Sequence, residues 1–411
     1  MLPRPQSVPV WRDLSLAVVV GLLGYALSCW LVAPGTVPSG FGIDWQLVSE
    51  RPQDLPGRLP HRLLAPVVAW ACGCGGASYL LFVRGLSVFL LATVFFFCRR
   101  RGASVLDGAL VTLAVAVTAP VQMYKEHWVG YPDAVCYGLF LWMLLAAKRP
   151  AVFWPLFFVN LLNHELAAFL LPWLWFVRRE AGGSWRADAL GAGLGLGVYA
   201  AFYLWVKAVA PQQLFDANYF LGHPLFPGGT VAVWGLALTH IVVAFGPVLA
   251  VLAWHQHVRE HGRERLHLWA VGAGVVVIFC IAFDWARHSN LVVIPLVLAS
   301  LRFLQAGHRL AYGALVALGV GLMVWIPPWS PSAWPTDRMA NPTLLVSSGL
   351  VVLPPPGAEA NSLNITFGPL SATLNNWLPQ VWPVLATITA IAAAIWLTGA
   401  VLAWRQRARA A

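Results

Sequence analysis

The chain has 411 residues, 59% of them hydrophobic and only 10% charged, with a mean hydropathy of +0.71. Soluble domains carry about 25% charged residues, so the composition excludes an ordinary water-soluble globule and requires a surface solvated largely by lipid. The net charge of +10 does not indicate a nucleic-acid partner, because the basic residues fall in short clusters between apolar runs, the pattern of cytoplasmic loop ends.

Taken in chain order, apolar runs of the roughly 20 residues that cross a bilayer are expected near 13–34, 77–98, 104–123, 132–147, 187–208, 230–254, 266–283, 289–305, 309–327 and 380–404. The first is longer than a signal-peptide core and lacks a cleavage site, so it is expected to remain as a span. The stretch 150–177 is longer still and carries Asn163-His164-Glu165 at its middle. It is expected to cross out and back as two short helices with that tripeptide at the tip. Segment 61–75 is too short and too glycine-interrupted to span, which predicts a partly inserted or surface-lying helix.

Loop charges set the orientation. Arg4 and Arg12, Arg99 to Arg101, Lys148-Arg149, Arg178-Arg179, His255 to Arg265, Arg302 with Arg309, and Arg405 to Arg409 mark the cytoplasmic ends. The expected fold is therefore all-α: a polytopic helical membrane protein with about 12 transmembrane segments. It forms one transmembrane domain over residues 1–411, multi-pass in the cell inner (plasma) membrane, with both termini cytoplasmic. The 22 Trp fit headgroup-level anchoring. None of the six cysteines belongs to a spaced set in a polar loop, so they read as buried bystanders rather than disulfide or zinc ligands.

This topology gathers the unusual polar residues on the outer face. The first outer loop, 35–76, carries Asp44, a carboxylate suited to activating an acceptor hydroxyl or orienting a leaving phosphate. Arg58 and Arg62 flank the approach to the short helix, where guanidinium groups match phosphate in a bidentate way. The loop at 124–131 brings Lys125, Glu126 and His127 close to Asp133, with Trp128 and Tyr131 suggesting an interfacial pocket. Asp133 also suits the N-terminus of its helix as a dipole partner. His164-Glu165, alone in an apolar stretch, costs about 2–3 kcal/mol per ionisable residue at a helix centre unless it lines a polar cavity. At 284–288, Asp284, Arg287 and His288 fall on one helical face, so Asp284 is expected to pair with Arg287. The long outer loop 328–379 is expected to form a cap or lid.

The order of these features resembles the GT-C superfamily of polytopic membrane glycosyltransferases, the bacterial enzymes that use polyprenyl-phosphate sugars. The resemblance runs over about 13–305. It is carried by Asp44 after the first span, Arg62-Leu-Leu-Ala-Pro66, Pro132-Asp133, His164-Glu165 and the Asp284-to-Arg287 element. It departs where Asp44 stands without an adjacent acid, where His164 replaces the usual Arg or Lys, and where no terminal soluble domain follows. The resemblance implies a GT-C-like fold and an enzyme of the cell envelope. Its reaction moves a hexosyl or pentosyl group from a polyprenyl-phosphate donor to an acceptor glycan, lipid or protein. Membrane lipids, and no nucleic acid, are the further partners. Asp44 would be the general base or acceptor-positioning acid. Arg62 and Arg287 would hold the lipid phosphate, and Glu126, His164 and Glu165 would shape the sugar pocket. A divalent cation, Mg or Mn, would find hard oxygen ligands in Asp44 and Glu126. The alternative from another class is a transporter or flippase for a lipid-linked or anionic substrate. A metallohydrolase using His127, His164, Glu165 and His288 lacks the His-Glu-x-x-His spacing.

Overall fold

The fold is that of a computed structural model and describes residues 9–38, 41–57, 59–126, 128–210, 241–242, 244–258, 262, 264–281, 285–325, 389–406 and 408. No described residue lies in a strand. Helices α1 (Val10–Leu31), α2 (Phe41–Glu50), α3 (Leu64–Ala71), α4 (Tyr79–Arg100), α5 (Val105–Ala116), α6 (Ala119–Glu126), α7 (Asp133–Leu145) and α8 (Pro150–Asn163) form the first half. There follow α9 (Leu166–Phe169), α10 (Leu171–Glu180), α11 (Trp185–Val209), α12 (Ala250–His257), α13 (Glu264–Ile281), α14 (Trp285–Ser289), α15 (Val293–Gln305) and α16 (Arg309–Trp325). A last helix runs over 389–406.

Among the described residues, four helical stretches are long and apolar enough to cross a membrane: Val10–Leu31, Gly76–Arg100, Trp185–Val209 and Arg287–Gln305. A fifth follows if α5 and α6, bent by 44° at their junction, count as one span. The expected single run over 104–123 is therefore broken. Gln122 explains how the break is tolerated, since its side-chain amide donates to the Ala116 carbonyl at 2.7 Å, satisfying an acceptor the bend frees. Arg287–Gln305 is 83% buried over its apolar window, whereas α1 and α11 are each 17% buried.

Those two outer helices expose Val18, Leu22, Leu194 and Val198. Their ends carry exposed tryptophans, Trp11 and Trp30 on α1 and Trp185 and Trp205 on α11. At 1.5 Å per residue each pair is separated by about 30 Å, the thickness of a hydrocarbon core. An apolar band between two aromatic girdles is the surface that lipid requires.

The basic clusters meet acids that each sit in the first turn of a helix. Arg99 reaches Asp13 at 3.1 Å, Arg178 reaches Asp188 at 2.8 Å, Arg309 reaches Asp107 at 2.6 Å, and Arg302 reaches Glu264 at 2.9 Å. Three of these pairs join the end of one helix to the start of another, and Arg309, the first residue of α16, joins its helix start to that of α5, which sets these helix termini on one face. The acids at helix starts, and Arg99, Arg178 and Arg302 in last turns, also suit the backbone dipoles. The turn after α4 closes through Gly102, whose φ of +86° lets the Ala103 amide donate to the Cys98 carbonyl at 3.0 Å. Asp188 is fully buried and accepts from Trp154 Nε1 at 3.1 Å as well as from Arg178. Replacing Asp188 by Ala is expected to lower stability by about 2–3 kcal/mol, below the usual loss for breaking a buried pair. The smaller loss follows because Arg178 keeps its bond to the Ala147 carbonyl. Thermal unfolding in detergent measures it.

Several expectations are corrected. The first outer loop contains the short helix expected within 61–75, as α3, but also α2, which was not expected, and of the loop expected at 284–288 the described residues 285–288 belong to helix α14, which leads through a 3-10 turn into α15. Cys98 and Cys136 are buried, but Cys72 is exposed at the end of α3. The expected lid, 328–379, lies outside the described residues.

Candidate functional site

The face opposite the ion-paired helix ends holds a ladder of charges assembled from four places in the chain. Its inner end is Arg287, on α14, which is buried together with Asp133 in the first turn of α7. Arg287 Nε lies 3.3 Å from Asp133 Oδ1, and its Nη2 donates to His164 Nε2 at 2.8 Å. His164 Nε2 is itself 3.8 Å from Asp133 Oδ1. The guanidinium is walled by aromatic rings, 5.3 Å from the centre of Tyr131 and 6.0 Å from that of Trp128. Such faces attract a cation, so the charge is held by a carboxylate and two π-systems rather than by water.

The outer end is Arg62, in the turn before α3, paired with Glu165. Arg62 Nε donates to Oε2 at 2.9 Å and Nη2 donates to Oε1, a two-pronged contact. His61 Nε2 and His164 Nδ1 lie 3.6 and 3.5 Å from Oε2. His164 thus stands between the two ion pairs. The Arg62 side chain is 8% exposed and that of Glu165 26%, which identifies Glu165 as the open end of the ladder.

Local sequence explains these positions. The helix expected to break at Asn163-His164-Glu165 does so there: α8 ends at Asn163 and α9 starts at Leu166. His164 has an extended backbone, φ −161° and ψ 129°, which swings its ring and the Glu165 carboxylate out of the helical line. Because α3 packs on α8, the turn carrying Arg62 is brought to that break. Beneath Arg287, Tyr137 OH donates to the Arg287 carbonyl at 3.2 Å and shares a 2.7 Å bond with Tyr124 OH, which Asn290 Nδ2 also reaches at 3.3 Å. This buried network fixes the backbone from which Arg287 projects.

Asp44 departs from the expectation of a loop acid, since it is buried in the first turn of α2. On the same helix Trp45 packs edge-on against Tyr131 with ring centres 4.6 Å apart, so α2 shares the aromatic wall of Arg287. The Phe41 amide donates to Tyr131 OH at 3.0 Å. Gly42 makes this contact feasible, because a Cβ there would lie 2.1 Å from the Val129 carbonyl oxygen. Gly42→Ala is expected to push α2 off the wall at an overpacking cost of about 1–3 kcal/mol. It should lower both the melting temperature and any activity that needs Asp44, as unfolding and turnover assays would record.

The remaining sequence-derived residues fall as follows. His288 is buried with its ring 6.1 Å from that of His164. Arg58, His127 and Asp284 lie outside the described residues, as does the side chain of Glu126 at the end of α6. The pairing of Asp284 with Arg287 is therefore outside this description, and the partners found for Arg287 are Asp133 and His164. Arg62 and Glu165, expected in separate roles, are bonded to each other. Among the described residues no group of three or more His, Cys, Asp or Glu has the geometry to hold a metal ion.

Sequence reasoning passed over His61 and Tyr137. His61 had a signal, its place beside Arg62 in "HRLLAP", while Tyr137 had none. Lys125 was grouped with the outer polar loop but is buried, its Nζ donating to the Ser28 hydroxyl and the Val32 carbonyl at 3.1 Å each. It closes the C-terminal end of α1, a favourable place for a cation.

The arrangement offers a directed, dry guanidinium and a second one nearer the open end, with an imidazole between them. No family model, no curated protein and no solved structure matches the chain.

Proposed function

We propose that the protein is an integral membrane glycosyltransferase of the GT-C type, with about twelve spans and both termini cytoplasmic. It would take a sugar from a polyprenyl-phosphate donor to an acceptor on the extracytoplasmic face. The observation that carries this reading is the one-sided ladder Asp133–Arg287–His164–Glu165–Arg62, set at the face opposite the basic helix ends. A phosphate leaving group gathers negative charge as its bond to the sugar breaks, and fixed guanidinium groups in a water-poor site stabilise that charge. Asp44 takes the proton of the acceptor hydroxyl as its oxygen attacks the anomeric carbon. The polyprenyl phosphate departs with the electron pair of the broken bond.

The test is reconstitution of the full chain in liposomes with labelled polyprenyl-phosphate sugars and a mixture of envelope acceptors. Release of polyprenyl phosphate matched by labelled product is the expected result. Movement of the intact donor between leaflets with no product would replace the enzyme by a transporter.

A further inference from the structure

Glu165 is the most open member of the ladder, and among the described residues the charged and ring side chains paired with its carboxylate, Arg62, His61 and His164, can each donate a hydrogen bond. Arg62 grips both oxygens. His61 Nε2 stands 3.6 Å from Oε2 and packs its ring 5.1 Å from that of Tyr203. His164 Nδ1 stands 3.5 Å from the same oxygen. The tautomer of His164 follows from its other nitrogen. Arg287 can only donate, so Nε2 presents the lone pair. A charged donor at 2.8 Å outcompetes the Leu166 amide, which points at Nδ1 from 3.2 Å. Nδ1 then carries the proton, and it faces Glu165.

Two imidazoles and a guanidinium therefore converge on one anionic group. Their geometry suits the oxygens of a phosphate as well as those of a carboxylate. The Arg62 side chain is nearly buried, whereas Glu165, in the break between two helices, is partly exposed and has a way out. We propose that His61, Arg62 and His164 form a binding pocket for a phosphate mono- or diester, and that Glu165 fills this pocket as an internal ligand until the phosphate displaces it. The exchange swaps one anion for another and breaks no covalent bond. The inference rests on the proposed reading for the setting of its ligand. It goes further by assigning His61 to the site and by making Glu165 a competitor instead of a sugar-pocket wall.

The experiment measures binding by the purified full-length protein in detergent, following tryptophan fluorescence. One probe is inorganic phosphate and the other is farnesyl phosphate. Glu165→Gln keeps the side chain's size and removes its charge. If Glu165 holds the pocket about nine-tenths of the time, apparent affinity should tighten about tenfold in this variant. His61→Ala and Arg62→Gln should weaken binding of the same probe. Tightening for farnesyl phosphate alone supports the pocket with a lipid headgroup as ligand. Tightening for both probes supports it with phosphate from either source. Unchanged or weaker binding by a folded Glu165→Gln protein overturns the proposal. Should that variant fail to fold, unaltered binding by His61→Ala overturns it equally.

Turnover plays no part in this assay, so the two readings fail separately. A protein that binds as expected but transfers no sugar keeps the pocket and discards the transferase.

Discussion

Replacing Arg287 by Met is expected to be the most destabilising single change in the described structure, costing about 3–5 kcal/mol. The reason is the company it leaves behind. Asp133 is 1% exposed and Arg287 2%, so removal of the guanidinium takes a full countercharge from a carboxylate in a nearly waterless place. The Tyr131 and Trp128 rings that face Arg287 present negative π-surfaces, which cannot replace the lost positive charge. His164 loses its strongest donor at the same time. A lower melting temperature and reduced yield of monodisperse protein are the measurable results. The double variant Asp133→Asn with Arg287→Met should recover part of the loss, because no net charge then stays buried. A single variant as stable as the parent would show that the pair is solvated in the membrane and would remove the basis for a dry, directed guanidinium.

How far the sequence anticipated this site depends on whether a residue's partner is near in the chain. The break at His164-Glu165 was legible because two ionisable residues inside an apolar stretch carry a cost that only a helix interruption and polar company relieve, and α8 stops there. The shared sidedness of Arg62, Asp133 and Arg287 was legible from loop charges. Pairing was not. The three-residue spacing pointed from Arg287 to Asp284, a local rule, whereas the partners described are Asp133 and His164, contributed by other helices. A charge moved out of water is drawn to an opposite charge across the bundle, and sequence spacing holds no record of that geometry. Asp44 shows the same limit, since its place after the first expected span put it in the outer loop 35–76. Packing of Trp45 on Tyr131 instead stabilises a short helix. The acids Asp13, Asp107, Asp188 and Glu264 had a signal that went unused: each lies in the first turn of a helix that starts beside a basic helix end.

If the protein is the proposed transferase, Asp44→Asn is expected to lower the turnover of sugar transfer by about 10²–10⁴-fold, the usual contribution of a general base. Asparagine has nearly the same shape, so the buried first turn of α2 should keep its packing through Trp45 and Val48. The melting temperature is accordingly expected to change far less than in Arg287→Met. The division between kinetic constants is the informative part. A base that acts only as the acceptor hydroxyl attacks contributes to the transition state, so kcat should fall while KM for the polyprenyl-phosphate donor holds. A rise in the acceptor KM with kcat unchanged would make Asp44 a positioning group for the ground state. Asp44→Glu separates the two further, for it retains the carboxylate but moves it by one methylene inside a packed helix turn. Partial activity in Glu with none in Asn fits a base displaced from its ideal position. Full activity in Asn would remove Asp44 from the chemistry. Transfer would then proceed with the leaving phosphate held by the ladder around Arg62 and Arg287 and with the acceptor proton taken by a group other than Asp44.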